Sequence, residues 1–90
     1  MEFEWDPAKS HETLRRRRFD FNFAARVFDG VTIEGIDSRR DYGEIRVCAI
    51  GQVDGQILVV VYADRVSGRR IISARPASRK ERLTWNEQFG

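Results

Sequence analysis

Apolar residues change their spacing at Gly30, and the change divides the chain into two kinds of structure. Before it, Phe21, Ala24, Ala25 and Phe28 fall at i, i+3, i+4 and i+7, which is one buried stripe of a helix. Asp20 is its capping residue and Asp29-Gly30 its stop, because glycine tolerates the left-handed backbone that closes helices. An earlier helix over 7–17 opens on Asp6-Pro7. The Asp side chain can accept from the orphan N–H groups of the first turn, and proline at the first position gives up no needed donor. Its apolar face is weak, with Ala8 and Leu14 the main members, so it is expected on the surface.

After Gly30 the pattern reads as strands over 31–38, 44–53, 56–66 and 69–75, with turns at Asp54-Gly55 and Ser67-Gly68. Asp-Gly is a strong hairpin signal, since both central positions of a type I′ turn need positive φ. Ser78 and Glu81 then fit a capping box ahead of Leu83, Trp85 and Phe89, predicting a helix from Arg79 to about Gln88. The order α-α-β-β-β-β-α predicts one α+β domain over 1–90, its helices packed on one face of a mainly antiparallel four-stranded sheet.

Strand parity sorts the side chains. A two-residue turn at Ser67-Gly68 sets Arg65 opposite Arg70, Ala63 opposite Ile72 and Val61 opposite Ala74. The predicted core face is then Ile57, Val59, Val61, Ala63, Ile72 and Ala74. The other face carries Leu58, Val60, Tyr62, Asp64, Ile71, Ser73 and Arg75, with Arg79 and Arg82 entering from the last helix. Guanidinium groups match phosphate oxygens, and an aromatic beside them offers a base something to stack on. The bland reading has Arg75 capping the sheet edge and pairing with Asp64 or Glu81. Arg46 falls opposite Ala63, on the predicted core face, if Asp54-Gly55 is a strict two-residue turn. A three-residue loop with a bulge puts it beside Tyr62, and the cost of burying an unpaired charge favours that register.

The net charge of +2 is unevenly spread: residues 1–45 hold eight Lys and Arg against ten Asp and Glu, residues 46–90 eight against four. A separate knot lies at Arg15-Arg16-Arg17-Arg18. Clustered positive charge attracts phosphate backbones, although it also describes many solvated surfaces. The single cysteine, Cys48, allows no internal disulfide and reads as a small core residue, which suits a reducing compartment. The longest apolar run, Ile57 to Ala63, is only seven residues, so no membrane helix is expected. The first residues lack the basic-then-apolar order of a signal peptide, and a cytoplasmic location follows as the expectation. No His/Cys/Asp spacing suggests a metal, and no glycine-rich loop suggests a nucleotide cofactor.

Five stretches carry a resemblance: FEWDPAK at 3–9, FNFAARVFDG at 21–30, EIRVCAIG at 44–51, LVVVYADR at 58–65 and RIISARPASRKER at 70–82. In this order they resemble the BrnT toxins of bacterial type II toxin–antitoxin systems, over essentially the whole chain. The resemblance implies a RelE-like fold and a metal-independent endoribonuclease without a cofactor. It also implies neutralisation by a BrnA-type antitoxin that binds DNA at the operon's promoter. Residue by residue it points to Trp5 and Lys9, Arg46, Tyr62, and Ser73, Arg75 and Glu81. One departure stands out: the family's Lys-His-Gly turn between the first helices is Arg16-Arg17-Arg18 here, and arginine cannot serve as acid or base near neutrality.

On that basis Arg75 and Arg46 are expected to clamp the scissile phosphate, with Lys9 or Glu81 as the base. Tyr62 would stack a base or donate a proton, and Trp5, Ser73, Arg79 and Arg82 would contact RNA. The alternative is a binding module that holds RNA or antitoxin without cutting. His11, the only histidine, lies two residues beyond Lys9, roughly 200° around the helix, so the two side chains are expected to diverge. Trp5 also has a packing reading at the helix entry.

Overall fold

A computed structural model describes the chain over Met1–Gly90. The first helix, α1 (Pro7–Arg17), starts as its sequence requires: the Asp6 carboxylate accepts from the Ala8 N–H at 2.9 Å. It stops at Arg18, which takes the left-handed conformation (φ 67°) and donates its N–H to the Leu14 carbonyl at 3.0 Å. This is the position at which the resemblance has glycine. A side chain in this conformation costs about 1–2 kcal/mol, so Arg18→Gly is expected to raise stability by about 1 kcal/mol in urea titrations. An unchanged or lower midpoint would contradict that account.

Asp20 caps the next helix, α2 (Phe21–Ala24), by accepting from Phe23 N–H at 2.9 Å. The apolar stripe then runs on through a tighter 3₁₀ segment, Ala25–Asp29. The strands are β1 (Phe3–Trp5), β2 (Ile33–Ile36), β3 (Val47–Val53), β4 (Gln56–Arg65) and β5 (Gly68–Pro76), followed by α3 (Arg79–Phe89). Ser78 and Glu81 close the capping box at the start of α3.

The sheet has five strands in the order β1-β5-β4-β3-β2, and it is mixed, because β1 runs parallel to β5. The expected four-stranded antiparallel sheet lacked β1. Its three residues alternate apolar, polar, apolar, so that Phe3 stacks on Phe28 (centroids 5.6 Å apart) and Trp5 meets Phe21 edge-on at 6.4 Å.

Two register findings change the expected pairings, and the second of them also changes which side chains share a face. The β4–β5 turn is Val66-Ser67, since Arg65 pairs with Gly68. Gly68 (φ 144°) serves another purpose: a Cβ there would lie 2.7 Å from the Glu2 carbonyl oxygen, which accepts from Arg69 N–H at 2.8 Å. The ladder then slips, pairing Tyr62 with Ile71 but Val61 with Ser73, which leaves Ile72 as a bulged extra residue. Leu58, Val60, Ile71 and Ala74 therefore join Phe19, Phe21, Ala24, Ala25, Val27 and Val53 in the main core. Tyr62 shares their face, its ring edge-on to Phe28 at 5.2 Å. Val59, Val61 and Ala63 point the other way with Ser73 and Arg75, yet they are buried too. The helices are not all on one face. α3 packs against β3, and its buried Trp85 stands outside the main cluster, on the side where Glu81 meets Arg75.

The β3–β4 turn is the strict two-residue Asp54-Gly55 (φ 49° and 81°), as Val53 pairs with Gln56. Arg46, one step before the Val47–Tyr62 pair, thus falls opposite Ala63. The desolvation argument favoured the other register only because Ala63 had been assigned to the helix-covered face. In the core, Gly51 of β3 passes directly beneath the 3₁₀ segment, where an added Cβ would sit 2.6 Å from Val27 Cβ. Gly51→Ala is expected to cost about 1–3 kcal/mol through this overlap, seen as a lower thermal midpoint. A neutral result would mean the segment lifts freely off the sheet.

Candidate functional site

β1 ends at Trp5, so beyond Ile71 the outer flank of β5 has no strand beside it. α1 takes that place and leaves a groove of about 480 Å³ between itself and residues 72–75. Lys9, Glu12, Thr13, Arg16 and Arg17 line one wall, Ser73 and Arg75 the other, over an apolar floor that includes Phe21 and Ala74. The α1 residues are spaced i, i+3, i+4, i+7 and i+8, so one polar face of the helix looks into the groove.

Arg75 is held in place from α3. Its Nη1 and Nη2 donate to the two Glu81 carboxylate oxygens at 2.7 and 2.9 Å, and Nη1 also reaches the Pro76 carbonyl at 3.3 Å. Glu81 also accepts from Ser78 N–H at 2.7 Å. The bonds from Arg75, followed by those from Ser78, pull the Glu81 carboxyl down to about 2, against an ordinary 4.5. A carboxylate held that low is a poor proton acceptor and a good brace. Because the depressed group favours the folded state only while ionised, its contribution is present above about pH 4.5 and lost as the pH falls through about 2. Thermal melts across that interval should therefore decline less steeply in Glu81→Gln than in wild type.

A second hollow adjoins the groove through Ser73 and Arg75 and is completed by Asp37, Arg39, Cys48 and Val61. Asp37, only 7% exposed, accepts from Arg39 Nε and Nη2 at 2.8 Å each and from the Tyr42 hydroxyl at 3.3 Å. The Arg39 bonds hold its carboxyl near 2, and burial raises the Cys48 thiol. A third hollow adjoins through Lys9 and Ile72 and contains Asp6, Arg46, Arg65 and Arg70.

Of the residues singled out from sequence, Lys9, Ser73 and Arg75 therefore share one groove, with Glu81 bonded to Arg75. Arg46 borders the third hollow instead, so it and Arg75 lie on opposite sides of Lys9 and Ile72. Tyr62 does not point with Ser73 and Arg75. It is 4% exposed on the other face and donates its hydroxyl to Glu34, with the Arg69 guanidinium 3.9 Å above its ring. Burial, then the Glu34 bond, pushes its phenol up to about 12. Trp5 packs on the same face, paired in register with Ile71. Arg79 is exposed on α3, while Arg82 donates to the Ala77 carbonyl at 2.9 Å, and neither lines the groove. His11 borders a separate hollow with Trp5 and Asn22, diverging from Lys9 as its spacing implied.

Sequence reasoning passed over Glu12 and Thr13 as groove residues and took Arg16 only as part of the Arg15–Arg18 knot, although the helical period counted from Lys9 marks all three. Arg17, where the resemblance has histidine, does lie in the groove. Arg39 and Arg70 carried no signal, since a long loop and a bulged register bring them to the site.

No helix is long and apolar enough to cross a membrane. No curated protein matches the chain. A family model described as the ribonuclease toxin BrnT of type II toxin–antitoxin systems matches residues 5–81, a span running from Trp5 through Lys9, Arg46, Ser73 and Arg75 to Glu81. The chain accordingly belongs to the BrnT family of ribonuclease toxins of type II toxin–antitoxin systems.

Proposed function

We propose that residues 1–90 form a single RelE-like domain acting in the cytoplasm as a metal-independent endoribonuclease. In this reading it arrests growth by cutting RNA and is neutralised by a BrnA-type, promoter-binding antitoxin. The observation that carries the reading is that Lys9, Arg16, Arg17, Ser73 and Arg75 line one groove together with a single carboxylate, Glu12.

Cleavage asks for three things: removal of the 2′-OH proton, stabilisation of the phosphorane's added negative charge, and protonation of the departing 5′-oxygen. Arg75, braced by Glu81, meets the charge with a donor fixed in advance, and Ser73 adds a hydroxyl beside it. Glu81 is thus a positioning residue. The proton steps pass to α1, where Glu12 takes the 2′-OH proton as the 2′-oxygen bonds to phosphorus. Lys9 gives a proton to the 5′-oxygen as the P–O5′ bond breaks. The products are a 2′,3′-cyclic phosphate and a 5′-hydroxyl. Tyr62, buried and protonated up to about pH 12, keeps a structural role, and Trp5 packs rather than stacking RNA. Arg79 and Arg82 remain available to RNA that extends past the groove.

A second reading, a module that holds RNA or antitoxin without cutting, is favoured by one observation: the groove position of the family's histidine is occupied by Arg17. Incubating the purified protein with mixed-sequence RNA in EDTA, followed by mass analysis of fragment ends, separates the two. Cyclic-phosphate ends are expected. Intact RNA that nevertheless binds would favour the second reading.

A further inference from the structure

Arg46 has a feature that no internal partner explains: its Nε is fully buried and makes no hydrogen bond. Its one ion-pair partner, Glu44, is 3.8 Å from that nitrogen, and its guanidinium lies 4.0 Å above the Tyr42 ring. Glu44 is already committed to Arg65, which donates to it at 3.1 and 2.9 Å. Arg70 and Lys9, in the same hollow, have no ion-pair partner at all. The four cations Lys9, Arg46, Arg65 and Arg70 thus face two carboxylates, Asp6 and Glu44, and Asp6 is occupied in capping α1. A desolvated donor left without an acceptor is costly unless a ligand supplies one.

We infer that this hollow is a second phosphate subsite, which binds another phosphodiester of the same RNA strand, distinct from the one held at Arg75. The inference rests on the proposed RNA-binding reading of the groove. Arg70 pairs with Ala63 and Arg75 with Val59 along β4, so their backbones stand four residues, or ~13 Å, apart. That separation suits two phosphates of one strand. Ile72 and Lys9 border both hollows and form the saddle between them. The bulge at Ile72 makes this possible, because it turns Arg70 and Arg75 to the same side although they are an odd number of residues apart. In this arrangement Arg46 sets the register of the strand and leaves the reacting phosphate to Arg75.

The test uses a labelled, uncleavable 2′-O-methyl RNA decamer, followed by fluorescence anisotropy over a salt series. Arg70→Gln and Arg46→Gln are each expected to weaken binding about tenfold and to make the salt slope shallower by roughly 0.7. Neutral methylphosphonates placed singly along the strand should weaken wild-type binding at two separate positions. Arg70→Gln should become insensitive at one of them, and Arg75→Gln at the other. Insensitivity of both variants at the same position, or unaltered binding in both Arg70→Gln and Arg46→Gln, would overturn the subsite. Circular dichroism shows that each variant is folded before it is scored. Unmodified RNA run alongside keeps the two ideas apart: intact RNA with a two-position footprint removes the ribonuclease and keeps the subsite, whereas cleavage without that footprint does the reverse.

Discussion

Arg75→Ala is expected to lower the rate of RNA cleavage by ~10²–10³-fold, the usual loss when one preorganised donor to a developing oxyanion is removed. The size of the effect follows from how this guanidinium is held. A free arginine must freeze several torsions to grip a phosphate, whereas Arg75 is already locked against Glu81 by two bonds of 2.7 and 2.9 Å and still lines the groove. Glu81 in turn belongs to the capping box of α3, so the brace is part of the fold. The pair predicts a graded series. Arg75→Lys should recover little, because an ammonium cannot form the same two-pronged pair. Glu81→Gln should fall between wild type and Arg75→Ala, since it loosens Arg75 without removing it. Removing Arg75 also removes the bonds that hold the Glu81 carboxylate, so the alanine variant should melt somewhat below wild type at neutral pH, and rates are compared at a temperature where circular dichroism shows both folded. Cleavage unchanged in Arg75→Ala would remove this residue from the mechanism.

The same residue marks where the sequence was legible and where it was not. Its surroundings are local: the cap of α1 at Asp6, the capping box at Ser78 and Glu81, and the positive-φ pair Asp54-Gly55 all formed as their chemistry required. Which side chains face which way was not local. The run Ile57 to Ala63 is apolar throughout because both faces of β4 are covered, and an unbroken apolar run contains no alternation from which to read a face. The β4–β5 turn could not supply one, because moving a two-residue turn by one position keeps odd β4 residues opposite even β5 residues. Glycine at 68 looked like turn chemistry, but it is there to let the Glu2 carbonyl approach. What separated Ala74 from Ile72 was the bulge, which sets Ala74 beside Val60 on the helix side, where Tyr62 also lies. Ser73 and Arg75 share a side by their spacing of two along β5, which no shift of the turn alters, and Lys9, named by the resemblance, lines the same groove. The α1 wall was readable from helical spacing once Lys9 was chosen. Arg39 reached the site through the loop held by buried Asp37, and no pattern in its own neighbourhood announces that.

Lys9→Met is expected to slow cleavage by ~10²–10⁴-fold, the range of a lost proton donor, and mainly in kcat. Methionine keeps the unbranched stem that lies along the groove wall and removes only the ammonium, so α1 and its cap should be undisturbed. A fall in rate alone would not separate proton transfer from simple attraction of the phosphate, and the leaving group provides the separation. An RNA with sulfur in place of the 5′-bridging oxygen expels a thiolate, which departs without being protonated. If Lys9 supplies the proton to the 5′-oxygen, most of the Lys9→Met loss should disappear on this substrate. The loss in Glu12→Gln should persist, because the 2′-OH must still give up its proton. If Lys9 acts only through its charge, the deficit should be equal on both substrates, and should shrink with rising salt as screening weakens the attraction in wild type. Equal losses for Lys9→Met on the two substrates would therefore move Lys9 from proton donor to phosphate anchor and leave the departing oxygen to another donor in the groove, Ser73 being the nearest in kind.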